Sequence, residues 1–168
     1  MKTILAMLCA CLVSAAVAAK TPGEVDVGGV LREAQIKGLD GPSRKLSEFR
    51  GKPLIINVWA SWCGPCRKEM GSLERLFWRY GGQQFQIIGI STDDYVERAN
   101  AAVRESRISF PNFIDSKLEM ENTLGADRIP LTLVVDAQGR VLAKFYGAKD
   151  WDSPEMIRTI GKLLHARL

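Results

Sequence analysis

Residues 54–60, apolar apart from Asn57, run directly into Trp62-Cys63-Gly64-Pro65-Cys66, and a helical pattern follows. This junction constrains the fold more than any other stretch of the chain. A continuous apolar run rich in β-branched residues is what a parallel strand covered on both faces requires. After the dithiol, Cys66, Met70, Leu73, Phe77 and Tyr80 recur at spacings of four, three, four and three, an apolar stripe along a helix. A Cys-x-x-Cys pair that opens a helix after a buried strand reads as a redox dithiol. Its sulfurs lie about one helical turn apart, within bonding reach. The ring such a bond closes is short and removes little entropy from the unfolded chain, so the bond suits exchange better than stapling.

The helix start sets the roles of the two sulfurs. Unpaired N–H groups and the positive end of the helix dipole face Cys63 and favour its thiolate, the attacking species. Cys66 lies on the apolar stripe and reads as the buried resolving thiol. Zinc needs four ligands, and apart from this pair and two cysteines near the amino terminus the chain offers only His165. Covalent haem needs a histidine after Cys66, where Arg67 stands. No metal or cofactor is therefore expected. Trp62 is either an apolar wall for an incoming chain or a partly buried core residue; Trp59 is expected in the core. On a helical wheel Glu69 falls between Leu76 and Tyr80, inside the apolar arc and one turn from Cys66. Burial there would raise its pKa and make it a proton acceptor for the Cys66 thiol; the alternative is a glutamate snorkelling at the stripe's edge. Asn57 reads as a hydrogen-bonded core amide. Pro130 starts a strand to which it cannot donate, and a cis Ile129-Pro130 bond would let Ile129 offer its backbone to a substrate.

The rest of the chain alternates strands and helices. Residues 31–36 and 43–46 are expected as strands around the turn Gly38-Leu39-Asp40-Gly41-Pro42. A strand at 85–90 and a helix capped by Thr92-Asp93-Asp94 follow, then a strand at 110–114 that Pro111 pushes to an edge or to its own start. Ser116 and Glu119 form a capping-box pattern for a short helix. Residues 131–135 and 141–146 flank a hairpin at Asp136-Ala137-Gln138-Gly139-Arg140. Ser153 and Pro154 begin the last helix. This order argues an α/β fold, a central mixed β-sheet flanked by helices, over residues 31–168.

The chain has 168 residues and a net charge of +4, enough for one domain with a core. Its basic residues are scattered, which argues against a nucleic-acid partner. Lys2, then 16 residues without charge at 4–19, then small residues up to Ala19, read as a signal peptide over 1–19 with cleavage near Ala18 or Ala19. The apolar run is short of the ~20 residues of a membrane span, so an N-terminal membrane anchor is the lesser alternative. Cleavage would remove Cys9 and Cys11 and leave Cys63 and Cys66 as the only thiols, in an oxidising compartment. Gly-rich residues 20–30 are expected as a flexible lead-in.

Two stretches resemble the thioredoxin superfamily, specifically the exported TlpA/ResA-like thiol-disulfide oxidoreductases. They are Asn57-Val58-Trp59-Ala60-Ser61-Trp62-Cys63-Gly64-Pro65-Cys66-Arg67-Lys68-Glu69 and Ile129-Pro130-Leu131-Thr132-Leu133-Val134-Val135-Asp136. The resemblance covers roughly residue 31 to the end. It implies a thioredoxin-like fold with the TlpA-type helix–strand insertion at 94–114. It implies that Cys63 attacks and Cys66 resolves, that Pro130 is cis and faces the dithiol, and that Glu69 is the functional acid. Thioredoxin carries a buried Asp where this chain has Asn57. The Ala-Pro-x-Phe opening common in the family is absent before Gly38. The expected function is periplasmic reduction of protein disulfides, re-reduced by a membrane thiol-disulfide transporter, with apocytochrome c or copper-site cysteines as targets. An oxidase or isomerase on the same fold, or a Cu(I)-binding metallochaperone, are the alternatives.

Overall fold

The computed structural model describes residue 21 and residues 23–168. The expected signal peptide and Cys9 and Cys11 lie outside the described residues. Seven strands form one mixed sheet in the order β2-β1-β5-β4-β3-β6-β7. The strands are β1 (Gln35–Gly38), β2 (Arg44–Lys45), β3 (Leu54–Trp59), β4 (Gln86–Ser91), β5 (Asn112–Ile114), β6 (Leu131–Val135) and β7 (Val141–Tyr146). The helices are α1 (Gly64–Tyr80), α2 (Val96–Glu105), α3 (Glu119–Leu124) and α4 (Pro154–Leu164). β3 runs parallel to β4 and antiparallel to β6, and every residue of it is buried. That burial is why its sequence is a run and not an alternation. β5 runs parallel to β4 in the sheet interior, with Pro111 just before it, where the missing N–H costs no ladder bond.

Several local expectations are corrected. β1 begins at Gln35 and not at Leu31, because its pairing with β2 starts at Gln35 opposite Lys45, while Leu31 N–H is drawn to Gly139 O. Residues 24–30, part of the stretch 20–30 expected as a flexible lead-in, pack on the domain together with Leu31. Val25 is buried and its N–H donates to Thr123 O at 2.9 Å, Leu31 N–H donates to Gly139 O at 2.8 Å, and Glu24 pairs with Lys144. Helix α2 starts at Val96 after Tyr95, with no side-chain cap. Asp93, expected as part of that cap, turns its carboxylate to Ser61 and Ser91 instead. Helix α3 likewise takes no cap from Ser116. Asp115 accepts from Glu119 N–H at 3.0 Å and Glu121 N–H at 2.8 Å. The Ser153 cap of α4 is as read, its Oγ accepting from Met156 N–H at 3.3 Å.

Candidate active site

β3 delivers the dithiol at its carboxyl end. Residues 60–63 turn back, Cys63 N–H donating to Ala60 O at 3.1 Å, and Cys63 becomes the N-cap of α1. Its Sγ accepts from Cys66 N–H at 3.2 Å, one of the orphan donors of the helix end. The two sulfurs form a disulfide. Cys66 is fully buried and Cys63 is 5 % exposed, so the second position of the pair is closed to solvent and the first nearly so. Around it the surface is open: Gly64 and Pro65 are exposed, and Trp62 is 69 % exposed, which excludes a core role for its ring. A groove lined by Gly64, Arg67, Lys68, Glu105 and Ser106 lies alongside, spanned by Arg67 and Glu105 at 3.0 Å. The end of helix α2 thereby forms one wall of this groove.

Ile129-Pro130 is a cis bond at the start of β6. Ile129 packs on the apolar cluster that contains Cys63 and Cys66. Pro130 O accepts from Gly147 N–H at 2.9 Å. Trp59 is buried, as expected, its Nε1–H donating to Asn112 Oδ1 at 3.0 Å. Gly89 on β4 must lack a side chain here, since a Cβ would meet Asn112 Oδ1 at 1.9 Å.

Glu69 is 2 % exposed, on the face of α1 that the helical wheel predicts, and does not snorkel. Its Oε1 accepts from Asn57 Nδ2–H at 2.8 Å; its Oε2 accepts from Lys149 N–H at 2.9 Å and Trp151 Nε1–H at 3.0 Å. Burial holds the Glu69 carboxyl above its ordinary range, although these three hydrogen bonds and the charge of Lys149 pull the other way. Asn57 also donates to Thr132 Oγ1 at 3.0 Å, while its Oδ1 has no partner among the described residues. Ser72 Oγ donates to Glu69 O at 2.7 Å and accepts from Trp151 N–H at 3.0 Å. Glu69 thus ties α1 to β3 and to the loop after β7, one helical turn from Cys66.

Sequence reasoning missed Lys149, Trp151 and Ser72 around Glu69. Lys149 acts through its backbone, which carries no side-chain signal; Trp151 lies far from the motif in sequence; and Ser72, one turn after Glu69, takes its role from Trp151, which only the fold brings to it. It also missed Asp93, whose signal, an acidic residue after a strand, was spent on a helix cap.

The AhpC/TSA family matches residues 27–144. Thiol-disulfide oxidoreductase ResA of Bacillus thuringiensis subsp. konkukian is 27% identical over 124 residues, 74% of this chain and 72% of that protein. The ResA of Halalkalibacterium halodurans is 30% identical over 120 residues, 71% of this chain and 65% of that protein. A Chlorobium tepidum structure, assigned as a thiol:disulfide interchange protein DsbE, superposes with a TM-score of 0.76 at 24% identity, over 83% of this chain and 99% of that one. The thioredoxin domain of a thiol-disulfide oxidoreductase from Bacteroides vulgatus superposes with a TM-score of 0.71 at 25% identity, over 84% and 99%. The mixed sheet with flanking helices is the thioredoxin-like fold of these structures.

Proposed function

The chain belongs to the AhpC/TSA family and is a thiol-disulfide oxidoreductase, and from that premise we propose that it acts as an exported reductase of protein disulfides. The observation that carries this reading is the Cys63–Cys66 disulfide at the start of α1, with Cys63 as the helix N-cap beside the exposed Trp62, Gly64 and Pro65, and Cys66 fully buried behind it. In the reduced protein, Cys63 thiolate attacks one sulfur of a substrate disulfide. A mixed disulfide forms and the other substrate sulfur leaves as thiolate. Cys66 passes its proton to Glu69 and attacks Cys63 Sγ. The second substrate thiolate leaves, two electrons have moved to the substrate, and the protein is left with its internal disulfide. Trp62, exposed and next to Cys63 in the chain, and Ile129-Pro130, whose Ile129 packs on the cluster that holds both cysteines, receive the substrate chain. The first 19 residues act as the export signal, and a membrane thiol-disulfide transporter restores the dithiol in the periplasm. Apocytochrome c and copper-site cysteines are the proposed targets, in keeping with the family resemblance of the Asn57–Glu69 motif.

The test is a trap. Cys66→Ser, expressed with the full leader, leaves the mixed disulfide with no resolving sulfur. Partners then accumulate covalently on Cys63 and run as adducts that dithiothreitol releases. The added Cys63→Ser change should abolish them. Adducts that persist without Cys63 would refute the assignment of the nucleophile.

A further inference from the structure

Asp93 is 2 % exposed, and the reaction above makes no use of it. Its Oδ2 accepts from Ser61 N–H at 2.8 Å and from Ser91 Oγ–H at 2.7 Å; its Oδ1 accepts from Ser61 Oγ–H at 2.6 Å. Its own N–H donates to Ser91 Oγ at 3.1 Å, which closes a local ring and fixes the carboxylate on the end of β4. Both oxygens are therefore engaged by neutral donors, and two of the three bonds go to one residue. That residue, Ser61, lies in the turn that joins β3 to α1, two positions before Cys63. The turn has one internal backbone bond, Cys63 N–H to Ala60 O. Parallel pairing of β3 with β4 stops at Trp59 and Ser91, and Thr92 N–H to Trp59 O, at 2.9 Å, is a last backbone tie. Beyond that point the side chain of Asp93 anchors the turn to the sheet.

We propose that Asp93 is a positioning residue that pins the Ala60–Cys63 turn and so sets where the Cys63 sulfur meets a substrate disulfide. This rests on Cys63 being the attacking sulfur. Thiol–disulfide exchange needs the attacking sulfur aligned with the bond that breaks, and a misplacement of about 1 Å in an attacking group can cost on the order of 100-fold in rate. With the pin removed, the turn keeps its internal bond but loses its fixed relation to β4.

The measurement is the rate at which reduced Cys66→Ser protein captures a cystine-containing peptide, read by mass spectrometry, with thermal melting alongside. Asp93→Ala should slow capture by about tenfold or more. Asp93→Asn should stay within about twofold, because its Oδ1 still accepts from Ser61 N–H and Ser91 while its Nδ2–H donates to the Ser61 hydroxyl. If Asp93→Ala does not fold, Ser61→Ala replaces it: this loses the hydroxyl bond alone and should slow capture by about threefold with the fold intact. Capture by Asp93→Ala within twofold of its parent overturns the proposal, as does Asp93→Asn as slow as Asp93→Ala, or an unaltered rate in Ser61→Ala. A parent protein that captures no peptide would instead refute Cys63 as the nucleophile.

Discussion

Glu69 should cost the protein stability when it ionises and cost more when it is removed. Glu69→Ala deprives Asn57 Nδ2–H and Trp151 Nε1–H of their acceptor, and both residues are fully buried. Each stranded donor costs about 1–3 kcal/mol. Lys149 N–H is nearer the surface and can be rehydrated. Relief from burying a carboxylate offsets part of the loss, which leaves a net cost of about 3 kcal/mol. Glu69→Gln keeps one oxygen for Lys149 and Trp151 and sets an amide against Asn57, whose unpartnered Oδ1 can accept from it if the side chain turns; the cost falls to about 1 kcal/mol. The pH dependence separates ionisation from packing. Burial raises the Glu69 carboxyl above the ordinary value of 4.5, so between that value and its native one the folded protein binds more protons than the unfolded chain. Stability must therefore fall as pH rises through that window, and Glu69→Gln must lose this part of the slope. Asp115 and Glu121 are raised by burial too and slope the same way, so the quantity to measure is the difference between wild type and Glu69→Gln. Urea unfolding of the disulfide-bonded form across pH 4.5 and above gives it, since the sulfurs then do not titrate. A flat or rising difference, or a Glu69→Ala cost below about 1 kcal/mol, would refute the account.

The Glu24–Lys144 pair, with side chains 13% and 8% exposed, ties residues 24–31 to β7. Lys144→Met alone should cost about 3 kcal/mol by leaving Glu24 unpaired, and adding Glu24→Gln should recover most of it; urea unfolding reads both, and a single-variant cost below about 1 kcal/mol would show the pair to be idle. Trp62→Ala should leave stability within about 0.5 kcal/mol, because the ring is exposed, while raising KM for polypeptide disulfides and not for a small disulfide; an equal effect on both would remove Trp62 from the binding surface.

Much of the site was readable because its signals are local. The Cys63–Cys66 spacing, the helix that follows and the stripe containing Glu69 lie within one strand–helix unit, where period and spacing translate directly into geometry. Pro130 stood out at the start of a strand, but its cis bond came from the family resemblance and not from the residues themselves. Helix caps were read less well. The sequence offered Thr92-Asp93-Asp94 and Ser116 as caps, but a short polar side chain hydrogen-bonds whatever donor tertiary packing brings near, and for Asp93 that donor was Ser61. The attachment of residues 24–31 was likewise hidden, since its backbone bonds to Gly139 and Thr123 join segments more than 90 positions apart.

The sequence alone determined that this chain has a buried strand, a dithiol at a helix start and a carboxylate inside the same helical stripe. These follow from residue periodicity and from the fixed rise and turn of a helix. Only the tertiary structure decided what that carboxylate touches and what holds the dithiol's turn. The order of the strands brings Asn57, Trp151 and the backbone of Lys149 to Glu69, and brings Asp93 to Ser61. Hydrogen bonds between distant segments depend on the packing of the whole sheet, and no local pattern encodes them.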